Sequence, residues 1–517
     1  MQKKLLSGLF WVLLTNLLVK PFWILGIDVG VQNAVGAEMY GFYFTIFNLS
    51  YIFNILLDLG ITNFNTRNIA RHPNLIVKHF SGLLSIKLIL LLLYLSITFS
   101  IGFLKGFDST QFLLLAILTI NQFLNSLILY LRSNFEGLLL FKWDSLFSVM
   151  DRLLMIVICG LMLWGPQRSI FCSQFTIFHF ALAQTAAYLL TAALALVVLL
   201  RRIKSSAPRH SLRLRWNKPF TIAILKQSLP FALLVLLMAS YNRIDPILLE
   251  QLSPDGQGNY NAGIYAGAFK MLDALTMIVY LVSIPLLPIY SRMTKGDGER
   301  QEGNGDKRTA TEKMATGVEE AKSENEITST TRSMFSLVMV FAVTAACTLS
   351  SISNEIMALF YDNNVDEYSA VFRIVIFCII PISATYIFGT LLTAGGFLRQ
   401  LNIFATCSLA ANIVVNLLLI PRLGAEGSAW AGLTAQSLMA VTQIVAALII
   451  FKIKLSWQYI LKLSLFTLSV VACCFCSSHL SWWLTLIICG TAALAVAILL
   501  KLINIKEIIQ TIKTDNQ

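Results

Sequence analysis

Charge is what this sequence has least of. Only 13% of its 517 residues are Asp, Glu, Lys or Arg, against about 25% in a soluble domain. With 57% hydrophobic residues, that shortage excludes an ordinary soluble protein and points to a chain that crosses a bilayer many times. No G-x-x-x-x-G-K-[ST] stretch occurs, so there is no ATPase of the P-loop kind. No H-E-x-x-H or similar metal spacing appears either. The nine cysteines do not form a disulfide framework. Cys159, Cys347, Cys378, Cys407 and Cys489 sit in apolar runs, where Cys acts as a small hydrophobe. Cys473 and Cys476 make a formal C-x-x-C, but with no second pair and no His beside it, metal and redox roles find no support.

What charge there is sums to +12. A basic balance can mean nucleic acid, but here the charges lie in short loops between apolar runs, which excludes that partner and makes them topological anchors. Fourteen runs are long enough to span a membrane. In order they are Leu5–Ile27, Tyr40–Phe64, Gly82–Leu104, Gln111–Arg132, Leu146–Trp164, Ile177–Leu200, Ile222–Leu249 and Asn261–Tyr290. Then follow Met334–Ile352, Tyr368–Gly395, Ile403–Ile420, Gly427–Phe451, Tyr459–Ser477 and Trp482–Leu502. Lys3 and Lys4 before Leu5 mimic a signal peptide, but no small-residue cleavage signal follows, so the run reads as span one. Lys20-Pro21 interrupts it, and Pro230 and Pro381 lie inside spans seven and ten, where proline can kink a helix.

Lys and Arg cluster after every second span, the strongest run being Arg201 to Lys218 with no acid between. By the positive-inside rule this puts both termini in the cytoplasm. Ser291–Thr331 lacks large apolar residues and reads as a flexible cytoplasmic loop. The opposite loops carry acids such as Asp28, Glu38, Asp255 and Asp366.

Span eight stands out. Ala262, Gly263, Ala266, Gly267 and Ala268 allow close helix approach, while Lys270 and Asp273 lie well inside an apolar stretch. Charge at that depth costs about 2.5–3.5 kcal/mol per residue, so it faces protein or water. Either the two pair with each other, three residues apart, and anchor the helix, or they line a polar pathway. Gly263-Ile264-Tyr265 echoes Gly41-Phe42-Tyr43 of span two, six spans earlier. An even offset relates two parallel halves by an axis along the membrane normal. The expected fold is an all-α polytopic membrane protein with about fourteen helices. Residues 1–203 form one six-helix lobe, 204–219 a basic connector and 220–453 a second lobe containing the 291–331 loop. Residues 454–517 add two helices and a tail.

Asn412-Ile-Val-Val-Asn416-Leu-Leu-Leu-Ile-Pro421-Arg-Leu-Gly424-Ala-Glu-Gly427-Ser-Ala reads first as a helical hairpin. The asparagines share one face, Pro421 ends the helix, and Gly424 and Gly427 allow a tight turn. The pattern also resembles the hallmark of bacterial polysaccharide flippases, the Wzx-like branch of the multidrug/oligosaccharidyl-lipid/polysaccharide exporter superfamily. Tyr40-Gly-Phe-Tyr43 with Leu57-Asp58-Leu59-Gly60 and Arg67 is similar to that family's second span. Arg243-Ile-Asp245-Pro with Gly263 to Lys270 is similar to its seventh and eighth. The family usually has a shorter loop where 291–331 lies.

The resemblance implies transport of a polyprenyl-diphosphate-linked oligosaccharide from the inner to the outer leaflet of the bacterial cytoplasmic membrane, alongside polysaccharide polymerase machinery. Cationic side chains would neutralise the diphosphate, and Lys20, Lys270, Arg243 and Arg373 are the candidates, Lys20 and Lys270 foremost. Tyr43, Tyr241 and Tyr265 either stack on sugars or anchor the interface. No cofactor is expected. Asp58, Asp245 and Asp273 are candidates for coupling to a sodium or proton gradient. Alternatives are a peptidoglycan-precursor flippase and a cation-coupled multidrug antiporter. A glycan polymerase or ligase would need a large outside loop, which the charge pattern does not provide.

Overall fold

The structure, a computed structural model, describes residues 19–71, 75–165, 175–204, 218–283, 286–287, 289–291, 293, 310–453, 456–477 and 479–503. Among these residues all regular structure is helical. Eleven helices are long and apolar enough to cross a membrane, and twelve if one bent pair counts as a single span. Large apolar side chains cover their outer faces: Leu92 is 65% exposed, Phe103 78% and Phe475 81%. Water would penalise such a surface and lipid does not, so this is a multi-pass membrane protein.

The chain divides into two compact units, Met1–Lys270 and Met271–Gln517. The cut falls inside a helix rather than in the 204–219 connector. The reason is local: the glycine-rich start of that helix packs backbone to backbone on span two.

The first unit begins with residues 19–22 in helix, a π-helical turn at Trp23–Asp28, then α1 (Val29–Val35). Pro21 lies two residues ahead of the π turn, and an inserted residue of this kind is a common answer to a disturbed hydrogen-bond ladder. α2 (Ala37–Ile52) passes into a 3₁₀ turn at Phe53–Leu57. Leu59 and Gly60 have φ of 41° and 80°, so the expected single span from Tyr40 to Phe64 is broken, and α3 (Ile61–Arg71) is a separate helix. Next come α4 (Leu75–Leu104), α5 (Ser109–Gly137), α6 (Phe141–Trp164) and α7 (Ile177–Lys204). Their core joins Phe80 to Tyr130, stacked at 5.9 Å, and Phe135 to Phe147 at 5.4 Å. α8 (Lys218–Arg243) and α9 (Asp245–Leu252) bend by 45° at Ile244. The bend follows from Pro246, which has no amide hydrogen and crowds the preceding turn. α10 (Gly258–Ser283) continues into the second unit.

In the second unit α11 runs Ala310–Ser351. Residues 310–331, expected as flexible loop, are therefore helical. Ala310, Glu312, Lys313, Met314 and Ala315 are strong helix formers, and low apolar content alone does not prevent a helix that continues into an apolar span. Residues 294–309 of that stretch lie outside those described. α12 (Ser353–Phe360), α13 (Val365–Val375) and α14 (Ile379–Ala394) follow, with a 3₁₀ turn at Ile376–Cys378 just ahead of Pro381. α16 (Trp457–Ser477) and α17 (Trp482–Leu499) pack on α11 through Phe466, Cys489 and Val343.

Between them α15 covers Leu398–Ile450, 53 residues. Straight, it would measure about 80 Å, far beyond a hydrocarbon core of about 30 Å. Gly424 is non-helical, at φ 53° and ψ −125°. A Cβ on Gly427 would stand 2.6 Å from the Leu419 carbonyl oxygen, whereas eight residues of straight helix separate such groups by about 12 Å. The chain thus reverses here, and α15 holds two of the expected spans. The turn comes at Gly424; Pro421 itself stays within the helix. Asn416 Nδ2 donates to Asn412 Oδ1 at 2.9 Å, both side chains fully buried on one face. Span one starts in residues 1–18, outside those described. Among the described residues the span count is approximately consistent with the expected fourteen.

Candidate functional site

Four groups of polar side chains in the first unit hold the candidate residues of that unit and their neighbours. The first centres on Lys270 on α10, 5% exposed. Its ammonium donates to Gln32 Oε1 at 2.8 Å and to the Asp28 carbonyl oxygen at 3.0 Å. It lies 3.7 Å from Asp28 Oδ2 and 3.6 Å from the centre of the Tyr40 ring. Tyr40 in turn donates its hydroxyl to Asp28 Oδ1 at 2.8 Å, and Gln32 Nε2 donates to the Gly263 carbonyl at 2.8 Å. The ammonium is therefore paired, hydrogen-bonded and covered by an aromatic face, which is what a charge out of water requires. Its partners are more than 200 residues away in sequence, and Asp273 is not among them. The pairing of Lys270 with Asp273 is thus corrected: Asp273 falls in the second unit, where its carbonyl accepts the Thr276 hydroxyl at 2.9 Å. Asp28 was expected in a loop. The π turn at Trp23–Asp28 carries the helix through it to Val35 and turns its carboxylate inward.

A second group gathers around Arg152 of α6. Its guanidinium lies 5.7 Å from the Trp23 ring and 5.9 Å from the Tyr188 ring, with Asp151 Oδ2 3.5 Å from Nε. Arg132 of α5 donates from Nε to Asp144 Oδ1 at 2.8 Å. Lys20 lies half-buried one helical turn before Trp23. Trp23 stacks on Phe180, which meets Tyr43 edge to face, and Tyr43 stacks on Phe47. Tyr43 is buried and accepts from Gln184 Nε2 at 2.8 Å.

The third group sits at the α8–α9 bend. Arg243 lies 5.5 Å from the Tyr51 ring and 5.1 Å from the Phe269 ring. Asp245, 2% exposed, accepts the Tyr265 hydroxyl at 2.9 Å. Tyr241 is buried nearby in the same helix.

The fourth lies where span two breaks. Lys87 of α4, 1% exposed, donates to Asp58 Oδ1 at 2.9 Å, the Leu57 carbonyl at 3.1 Å and Ser126 Oγ at 2.8 Å. Asp58 also accepts from Thr62, through the amide at 3.3 Å and through the hydroxyl. The cation thus closes the carbonyl end of the interrupted helix, where the backbone dipole favours positive charge.

Three of the four cationic candidates, Lys20, Lys270 and Arg243, belong to the first unit. Arg373 does not. It is exposed on α13 and donates from Nε to Ser353 Oγ at 2.7 Å, in a serine pair with Ser369. Sequence reasoning passed over Lys87, Arg132 and Arg152. Lys87 had a signal, a lone cation inside an apolar span. Arg132 and Arg152 were placed at span ends, but α5 runs on to Gly137 and α6 starts at Phe141, so both are interior to their helices. Among the described residues no three His, Cys, Asp or Glu side chains gather as a metal site.

The family model described as polysaccharide biosynthesis protein matches residues 5–294. No curated protein matches the sequence. Among solved structures, the chain is similar to the lipid II flippase MurJ in an inward closed conformation, with a TM-score of 0.62 and 13% identity, covering 96% of this chain and 98% of that one. An inward-facing multidrug resistance MATE family transporter of the MOP superfamily gives 0.59 and 13%, covering 85% and 98%. A MOP superfamily transporter from Pyrococcus furiosus gives 0.55 and 13%, covering 86% and 95%. At that identity these likenesses establish the fold.

Proposed function

The chain belongs to the polysaccharide biosynthesis protein family, and from that premise we propose that it flips a polyprenyl-diphosphate-linked oligosaccharide from the inner to the outer leaflet of the bacterial cytoplasmic membrane. A lipid II flippase and a multidrug transporter are among its structural neighbours, which supports translocation by alternating access as the task. The observation that carries the reading is the set of cations among apolar helices of the first unit: Lys270, buried, with Lys20, Arg152 and Arg243, half-buried. Moving a diphosphate through hydrocarbon needs positive charge and hydrogen-bond donors to replace its water. A cationic drug would meet repulsion at the same place.

Lys270 is the movable part of this scheme. In the structure Asp28, Gln32 and Tyr40 satisfy it completely. Parting α10 from α1 and α2 breaks those bonds and frees an ammonium for an anionic headgroup, whose binding offsets the loss. Asp245, held by Tyr265, is a carboxylate through which a sodium or proton gradient would act, with Asp273 as a second; Asp58, held by Lys87, serves the broken span instead. Both termini lie in the cytoplasm by the charge pattern, and a polysaccharide polymerase would receive the product.

The test is mass spectrometry of polyprenyl-linked intermediates in cells depleted of the protein. A lipid-linked unit of capsule, O-antigen or exopolysaccharide type should accumulate. Accumulation of the peptidoglycan precursor would reassign the substrate. No accumulation of either would reject the flippase reading in favour of a multidrug antiporter.

A further inference from the structure

We propose that Glu250 of α9, gripped by Lys105 and Gln111, is the outer latch of the transport cycle, and that this clasp parts each time the protein opens outward. The inference rests on transport by alternating access, the preceding reading, and not on the identity of the cargo. Both carboxylate oxygens of Glu250 are engaged. Lys105, in the turn after α4, donates to Oε2 at 2.8 Å, and Gln111 of α5 donates from Nε2 to Oε1 at 3.2 Å. The receiving side is held independently of Glu250. Gln111 and Asp108 close a capping box: the Gln111 amide donates to Asp108 Oδ1 at 2.7 Å, and the Asp108 amide donates to Gln111 Oε1 at 2.9 Å. The Lys105 ammonium lies 5.5 Å from the centre of the Phe107 ring. By the charge pattern, the α4–α5 turn and the end of α9 both face outward. The clasp therefore ties the turn between spans three and four to span seven, on the outer side, across the two six-span halves of the sequence.

A latch differs from a static tie in what its release costs and in what its release moves. The side chains of Lys105 and Glu250 keep 12% and 16% of their surface exposed. Neither charge is sealed off, so water takes over both as they part. The segment that Glu250 holds is the movable half of its span. α9 leaves α8 at 45° at Ile244, and Pro246 has no amide hydrogen to tie it to the preceding turn. Motion of α9 does not stay local. Gly258 at the start of α10 packs on the tip of α9: a Cβ there would stand 2.3 Å from the Glu250 carbonyl oxygen. Further along α10, Gly263 lies against Ala37 and Gly41 of α2, and its carbonyl accepts from Gln32 Nε2 at 2.8 Å. Thr45 of α2 donates to the Pro246 carbonyl at 3.2 Å. A swing of α9 away from the α4–α5 turn thus draws the start of α10 off α2. It carries Lys270 away from Gln32 and Asp28 in the same movement. The clasp at the rim and the buried ammonium are two ends of one lever.

The experiment locks the clasp in cells. The full chain carrying Lys105→Cys with Glu250→Cys is bridged by a short bifunctional methanethiosulfonate. Export, read as lipid-linked units cleared per folded molecule, should stop and should return when dithiothreitol cleaves the bridge. Either single variant given the same reagent should show no effect of it. Opening is read separately and without reference to cargo. Thr45 is buried on the face of α2 that meets α9, so in Thr45→Cys a membrane-impermeant maleimide reaches the thiol when α9 swings out. The same protein without Thr45→Cys corrects for the native thiols. Glu250→Gln removes the ion pair and should raise this labelling about threefold, the size expected for a partly exposed pair, and the bridge should suppress it. Labelling at the parent rate, in the bridged protein or in Glu250→Gln, would overturn the latch and leave the clasp a static tie. The two readings fail separately. If depletion accumulates lipid-linked units and the bridged protein still clears them, the latch falls and the flippase stands. If the bridge suppresses labelling but depletion accumulates nothing, the latch stands and the flippase falls.

Discussion

Gly41 of α2 and Gly263 of α10 meet backbone to backbone: a Cβ on Gly41 would stand 2.5 Å from the Gly263 amide nitrogen and 1.8 Å from the Asn259 carbonyl oxygen. A Cβ on Gly263 would stand 1.9 Å from the Ala37 carbonyl oxygen. These are the two glycines of the Gly-x-Tyr echo in the sequence. Each removes a side chain where the other helix passes, and their contact is what brings Lys270 within reach of Asp28. Alanine at either place forces the helices apart. We expect Gly41→Ala or Gly263→Ala to cost about 1–3 kcal/mol, as overpacking does, seen as a lower melting temperature in detergent together with reduced export. An unchanged melting temperature would mean the crossing is looser than the backbone distances require.

Lys270 and Asp28 should behave as one unit. Removing one member of a buried pair leaves the other charge uncompensated, at about 3–5 kcal/mol. Lys270→Met and Asp28→Asn should each lower stability, and the double variant should lose less than their sum. The expected interaction is about 0.5–3 kcal/mol, the range for groups in one network. Lys270→Met should also abolish export, and the double variant, though steadier, should not regain it. Additive losses of stability would separate the two residues. Export by the double variant would remove Lys270 from the transport path.

Lys87 makes a prediction of a different kind, because its role is to hold a broken helix together. Lys87→Met strands Asp58 and the Leu57 carbonyl, and membrane abundance should fall. Adding Asp58→Asn should restore part of it. Export per folded molecule should change little, measured as lipid-linked units cleared against protein detected by immunoblot. If export per molecule collapses at normal abundance, the pair belongs to the coupling machinery.

Arg373 was a cationic candidate, and its surroundings argue against that role. It is exposed and held by Ser353. Arg373→Gln should alter stability by no more than about 0.5 kcal/mol, as surface changes do, and export should remain at the wild-type level. A strong export defect would return it to the substrate path.

The spans, the hairpin around Gly424 and the glycine echo of spans two and eight were legible because each is a local pattern. Apolar length, a proline or glycine at a turn, and asparagines four apart act within one or two helical turns. The breaks were harder to place. Span seven bends by 45° at Ile244, just ahead of Pro246. Helix ends were also missed, because polar residues that look like loop continue a helix once it is packed. That error hid Asp28, Arg132 and Arg152 as interior residues.

The order of apolar runs and basic loops by itself determined that this is an all-helical multi-pass membrane protein, since in lipid apolar runs of this length satisfy their backbone as helices. Only the tertiary structure decided which charges meet. Lys270 chose Asp28, 242 positions away, over Asp273 three positions away, and Lys87 chose Asp58. Such choices depend on where helices cross and how closely their backbones approach. Electrostatic energy falls with distance in space, and distance along the chain does not enter it.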